Sequence, residues 1–306
     1  LVSPVNYFPK LAELLMLPLN RLPDFSYMFA LTIGCYALVA LVAHAIARRL
    51  GADRRGAVIA MLLALSLPAV ANLALTTKAD ILALLFLMIA AYWALGFVAT
   101  RGWPAFFLAL FATGFATQAK LTSAPFGLAV VLAALALGCP RGRALATPDT
   151  NGPSDAASAS TRMAVVVGVL LALVVAGLTW RTYVLTGLPT IGPDPLFKLW
   201  LTLGLELREP VGTLSWINPQ DWSDVPALVN ELVLRPAMLP HVIITWTGNV
   251  WLWLSLLALI AWRWFGAPDG VRARQLLLVG TCVLCGAWLA IGQRYIERGG
   301  DGNYFM

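Results

Sequence analysis

Long apolar runs, interrupted at short intervals by a few charged or polar residues, dominate the chain. Eight of them have helical length and almost no internal charge: 27–47, 57–75, 81–99, 104–117, 121–138, 163–186, 246–264 and 275–292. A helix rises about 1.5 Å per residue and a bilayer core is about 30 Å thick, so apolar runs of about 20 residues predict membrane spans. Within hydrocarbon every backbone amide must be satisfied inside its own helix. The pattern therefore predicts an all-α polytopic membrane protein. The run at 104–117 is too short to cross, which places the polar turn behind it, Gln118 to Ser123, slightly inside the membrane. That turn holds one lysine, Lys120. An ammonium taken out of water at that depth costs roughly 3 kcal/mol unless it snorkels or meets an anion. A lipid phosphate is the anion expected there, and a snorkelling lysine is the alternative.

Composition agrees with the pattern. In 306 residues, 60% are hydrophobic, 12% are charged and 12 are tryptophan, more apolar surface than a soluble domain of this size could bury. The net charge of +6 does not point to nucleic acid, because the arginines cluster in alternate connections. Arg48, Arg49, Arg54 and Arg55 come first, then Arg101, then Arg141, Arg143 and Arg162, then Arg263, Arg272 and Arg274. This is the positive-inside arrangement of a multi-pass protein. The connections at 76–80 and 118–123 hold one lysine each, Lys78 and Lys120, and are expected to face outward. The long stretch 187–245, with six acidic residues against three basic ones, is expected on the same face.

The organisation that follows is a run of segments. Residues 1–26 read as the end of a first outer loop with an interfacial helix around Leu11, Leu14, Leu15 and Leu17, and 27–138 as a five-helix transmembrane region. Residues 139–162, rich in Pro, Gly, Ser and Ala, read as a disordered cytoplasmic linker. A transmembrane helix at 163–186, an outer loop with interfacial helices at 187–245, two transmembrane helices at 246–292 and an outer segment at 293–306 complete the chain. Functional residues are expected beyond both ends. In the outer loop, Asp194-Pro195 caps a helix whose apolar positions are Leu196, Leu199, Trp200, Leu203 and Leu207, and a second short helix is expected from Pro226 to Arg235. Between them lie Trp216, Asp221, Trp222 and Asp224. Tryptophan beside carboxylates is a common grip on a sugar, and it is also the make-up of an interface belt.

Cysteine and histidine add little. Cys282 and Cys285 have the spacing of a metal or redox pair, but they lie inside an apolar run with no second pair. His44 and His241 are isolated. No metal site is expected, although the outer-loop carboxylates permit a divalent cation.

Four segments, in order, carry a resemblance. They are Tyr7-Phe8-Pro9-Lys10-Leu11-Ala12-Glu13-Leu14; Leu67-Pro68 with Thr76-Thr77-Lys78-Ala79-Asp80; Gly114-Phe115-Ala116-Thr117-Gln118-Ala119-Lys120-Leu121-Thr122; and Arg181-Thr182-Tyr183-Val184-Leu185-Thr186-Gly187-Leu188-Pro189. Together they resemble the polyprenol-dependent GT-C glycosyltransferases, the broad group of lipopolysaccharide core transferases and protein mannosyltransferase relatives. The resemblance implies a GT-C-like helical bundle in the bacterial cytoplasmic (inner) membrane. It also implies transfer of a sugar, with inversion, from a polyprenyl-phosphate donor to a glycolipid, polysaccharide or protein acceptor at the outer face.

Such a reaction needs a carboxylate to take the acceptor proton and cations to hold the departing phosphate. The family's main base is expected upstream of Leu1, so Glu13 and Asp80 are the candidates within the chain. Lys120, Lys10, Arg181 and Lys78 are expected on the lipid phosphate, and Trp216, Asp221, Trp222 and Asp224 on sugar or acceptor. Glu13 would help position the acceptor. Lys78 and Asp80 are also close enough to form a simple ion pair. Two other readings explain the outward cations: a multi-pass carrier or flippase of lipid-linked sugars, and a non-catalytic member of the same fold. A transporter, however, usually places polar groups or broken helices near the midplane, and the interiors of these spans are nearly free of charge.

Overall fold

The structure is a computed structural model in which residues 11–18, 26–75, 79–120, 123–138, 175–189, 199–208 and 270–280 are described, together with 169, 172 and 173. Seven helices make up its first part: α1 (Leu11–Met16), α2 (Ser26–Arg49), α3 (Arg54–Ser66), α4 (Pro68–Ala74), α5 (Asp80–Thr100), α6 (Trp103–Ala119) and α7 (Ala124–Gly138). Helical residues 175–186, 199–202 and 270–280 follow, and no strand occurs among the described residues. The expected span at 246–264 and the part of the 275–292 span after residue 280 lie outside the described residues, as do the linker and the helix expected from Pro226.

Two helices are long and apolar enough to cross a membrane, Phe29–Arg49 within α2 and Asp80–Thr100. They play different parts. The apolar stretch of α5 is 56% buried and that of α2 only 22%, so α5 is the central post and α2 lies on the outside. Helices α2, α6 and α7 all pack on α5. The outward faces keep large apolar side chains in the open, among them Ile33, Leu41, Ile59, Leu62, Leu128 and Leu132. A soluble protein rarely exposes so continuous an apolar surface; lipid covers it at no cost.

The apolar run at 57–75 is not a single helix. Proline has no amide hydrogen and disfavours helical geometry in the residue before it. Leu67 accordingly turns to an extended conformation (φ −70°, ψ 109°), α3 ends at Ser66 and α4 restarts at Pro68. Asp53 opens α3 as its N-cap, its carboxylate accepting from the Gly56 amide at 2.7 Å. At the end of α2, Gly51 (φ +97°) closes the helix: its amide donates to the Arg48 carbonyl at 3.1 Å, and the Ala52 amide donates to the Ala47 carbonyl at 3.0 Å. Only glycine takes that left-handed backbone at no cost.

The core has two parts, one toward each end of the bundle. One gathers Leu11 and Ala12 of α1 with Cys35, Leu73, Ile81, Leu82, Phe115, Ala119 and Leu178. The other gathers Leu95, Phe97 and Val98 with Phe106, Ala109, Val131, Ala134 and Leu278. Because successive helices are antiparallel, charge sorts to the two ends. One end carries Arg48, Arg49, Arg54, Arg55, Arg101, Arg272 and Arg274, and the other carries Asp80 and Lys120. The helix expected after Pro195 is seen as 199–202 and does not run on to Leu207. Gly204 (φ +80°) ends it, with the Leu205 amide donating to the Trp200 carbonyl and the Gly204 amide to the Leu201 carbonyl, both at 3.0 Å.

Candidate functional site

The site is built where α5 begins and α6 ends. Asp80 is the first residue of α5, and Lys120 is the C-cap of α6, its amide still donating to the Ala116 carbonyl at 2.9 Å. Each position suits its charge: a carboxylate is stabilised at a helix N-terminus and an ammonium at a C-terminus. α6 has 17 residues, about 25 Å at about 1.5 Å per residue, so it stops short of a full bilayer crossing.

Lys120 Nζ donates to Asp80 Oδ1 in an ion pair that joins the two helix ends. The side chains are 25% and 12% exposed, so the pair is neither buried nor freely solvated. Asp80 thus has a partner 40 residues away; the expected pairing of Lys78 with Asp80 lies outside the described residues, as Lys78 does. The reason is geometric. Asp80 sits on the helix end, where its carboxylate faces the neighbouring helix terminus. Ser123 fixes the turn, its hydroxyl donating to the Lys120 carbonyl at 2.7 Å and its amide to the same carbonyl at 3.0 Å.

Other candidates surround the pair. α1 packs on α6, burying Leu11, Ala12 and Met16 and leaving Glu13 exposed at this end of the bundle. Arg181 is exposed on the 175–186 helix and makes no side-chain hydrogen bond or ion pair among the described residues. The same helix is tied to α6 through buried Gln118, whose Nε2 donates to Thr179 Oγ1 at 3.3 Å. Asp80, Lys120 and Glu13 thus share one end, with the Arg181 helix alongside. Lys10, Trp216, Asp221, Trp222 and Asp224 lie outside the described residues. Among the described residues no group of three or more His, Cys, Asp or Glu could hold a metal ion.

Beside the site, the Arg181-to-Pro189 segment forms a helix exit that sequence reasoning recognised but did not explain. Gly187 (φ +82°) closes the helix, its amide donating to the Tyr183 carbonyl at 2.7 Å. Buried Thr186 accepts from the Leu188 amide at 3.1 Å and donates to the Thr182 carbonyl at 2.8 Å. The returning chain docks on it: the Arg208 amide donates to the Thr186 carbonyl at 2.9 Å, Arg208 Nη1 donates to the Val184 carbonyl at 3.0 Å, and the guanidinium lies 5.6 Å from the Tyr183 ring centre. Arg208 was missed because nothing in its own neighbourhood marks it. The threonine and glycine of the exit were the available signal.

No curated protein sequence and no solved structure matches the chain at a significant level. Residues 19–150, which run from before α2 past α7 and include both Asp80 and Lys120, match the family model of the dolichyl-phosphate-mannose-protein mannosyltransferases, a GT-C-type family of membrane glycosyltransferases to which this portion of the chain is similar.

Proposed function

We propose that the chain transfers a sugar from a polyprenyl-phosphate carrier to a glycan, glycolipid or protein hydroxyl at the outer face of a bacterial cytoplasmic membrane. The observation that supports this most is the Asp80–Lys120 pair at the end of a short apolar helix, inside the segment that matches the family. In an inverting transfer, the acceptor oxygen bonds to the anomeric carbon and its proton passes to a carboxylate. The bond from that carbon to the phosphate oxygen breaks, and the carrier phosphate leaves with the electron pair. Negative charge therefore grows on the phosphate, and cations aimed at it stabilise the transition state more than the ground state.

Lys120 is the first of these cations, and Lys10, Arg181 and Lys78 are the further candidates. An ammonium has three N–H donors, and the Asp80 contact uses one. Asp80 acts as a positioning residue: it holds an otherwise flexible side chain at the membrane boundary, where a phosphate oxygen can meet the ammonium. With its carboxylate occupied in this way, Asp80 gives way to Glu13 or an upstream acid as the group that receives the proton. Trp216, Asp221, Trp222 and Asp224 would serve the sugar and acceptor.

Amine-reactive labelling of Lys120, read by mass spectrometry, tests the phosphate contact in the chain embedded in nanodiscs. Polyprenyl phosphate is expected to protect Lys120 about tenfold more than the uncharged polyprenol of the same length. Equal protection by the two lipids would remove Lys120 from the phosphate site.

A further inference from the structure

We propose that Thr32 of α2 is a positioning residue for the Asp80–Lys120 pair, a role that rests on the reading of that pair as the phosphate site: its hydroxyl latches the end of α4 and so fixes the chain that leads into Asp80. Thr32 and Tyr36 stand one turn apart on the same face of α2. Each reaches a carbonyl on a different side of the break at Leu67. The Tyr36 hydroxyl donates to the Leu65 carbonyl at the end of α3. Thr32, only 1% exposed, donates from Oγ1 to the Ala74 carbonyl at the end of α4 at 2.7 Å. The last carbonyls of a helix have no partner within it, and leaving one unmatched in apolar surroundings is costly. A helix broken in such surroundings needs donors from outside, and α2 brings one to each half.

The two bonds hold different things. α3 has 13 residues and a capped start, whereas α4 has seven. The seat of α4 is Val70 and Leu73, which share a core with Cys35 and Val39 of α2 and with Ile81 of α5. Asp80 immediately precedes Ile81 and is the first residue of α5, so the path by which the chain arrives sets where its carboxylate stands. Ala74, six residues earlier, closes α4, and Leu75 next to it is already 66% exposed. Thr32 therefore holds the half of the broken helix that leads into the site, and Tyr36 holds the half that does not.

The latch is built to open. The Phe29 carbonyl of its own helix lies 3.0 Å from Thr32 Oγ1, so the hydroxyl has a second acceptor. When α4 leaves, Thr32 turns its proton to Phe29, and no buried donor is stranded. A hydroxyl bond between helices in a membrane shifts an equilibrium about three- to fifteenfold, enough to hold a short helix and small enough to release it.

The test is the rate of amine-reactive labelling of Lys120, read by mass spectrometry in nanodiscs that hold no polyprenyl lipid, well below the thermal midpoint of each variant. Lys120 is 25% exposed, so reagent reaches it, and its contact with Asp80 shields it. Thr32→Val keeps the shape and removes the hydroxyl, and it is expected to raise the labelling rate about threefold or more. Thr32→Ser keeps the donor and should label as the unaltered chain does. Tyr36→Phe removes the bond on the other side of the break; it should lower the thermal midpoint and leave Lys120 labelling unchanged. Unchanged labelling in Thr32→Val, fast labelling in Thr32→Ser, or an equal rise in Tyr36→Phe would each overturn the proposal and leave Thr32 a structural tie. The result stands apart from the protection of Lys120 by polyprenyl phosphate. Protection without a Thr32 effect removes the latch alone, and a Thr32 effect without protection removes the phosphate reading and leaves Thr32 positioning the pair.

Discussion

Lys120→Ala is expected to reduce sugar transfer about a hundredfold or more, the scale on which removal of one preorganised charge-stabilising group acts, while the chain still inserts into the membrane. The apolar helices on either side, α6 and α7, are untouched by the change. A second effect accompanies the first. Asp80 would keep a carboxylate that is only 12% exposed and has lost its ammonium. Exposed pairs contribute about 0–1 kcal/mol and removal of a partner from a buried pair costs about 3–5 kcal/mol, so the stability cost here should be about 2 kcal/mol. A loss of stability and a loss of chemistry could then be confused. The exchange of Asp80→Lys with Lys120→Asp separates them. Pair attraction returns in the exchanged chain, so the thermal midpoint should recover most of its loss, but the ammonium now sits at the start of α5 and transfer should stay low. Full recovery of transfer by the exchange would make the pair a structural tie only.

Gly187→Ala should produce the largest structural effect of any single methyl group in the described residues beside the site. The position has φ +82°, and an added Cβ would stand 2.2 Å from the Glu206 carbonyl oxygen, a backbone atom with no rotamer to change. Left-handed backbone costs a non-glycine residue about 1–2 kcal/mol. The clash forces apart the returning strand of chain that Arg208 fastens to Thr186 and Val184, so the total should reach about 3 kcal/mol. Thermal unfolding of the purified protein measures it. By contrast, Gly204→Ala has open space around the Cβ and only the backbone strain to bear, so it should cost about 1–2 kcal/mol. Equal midpoints for the two variants would mean that the chain return at Glu206 to Arg208 is not docked.

Apolar length revealed most of the helices because hydrocarbon imposes one rule on every backbone amide, and α2, α5, α6 and α7 follow it closely. The break at Leu67 was visible as Leu67-Pro68 but was read through, since a hydropathy run does not register a missing amide hydrogen. The end of the 199–202 helix was likewise written in Gly204 and overruled by the spacing of Leu203 and Leu207. Lys120 stood out as a charge at the end of a short span. Its partner did not, because Asp80 is 40 residues away and sequence proximity favoured Lys78. Which two helix ends meet is decided by how α6 packs on α5, and local pattern holds no record of that. The same holds for Gln118 with Thr179 and for Arg208 with Val184, both contacts between distant segments.

The most direct measurement is sugar release from the carrier. Membranes containing the chain are supplied with a panel of radiolabelled polyprenyl-phosphate sugars, and label is followed from the lipid to a glycan or protein fraction. Label should leave at least one of these carriers in membranes with the unaltered chain, should appear in acceptor material with inverted anomeric configuration, and should remain on the lipid with Lys120→Ala. Retention of all label on every carrier by the unaltered, membrane-inserted chain, with lipid-linked sugar bound or moved across the bilayer intact, would contradict the account and leave a binder or carrier in its place.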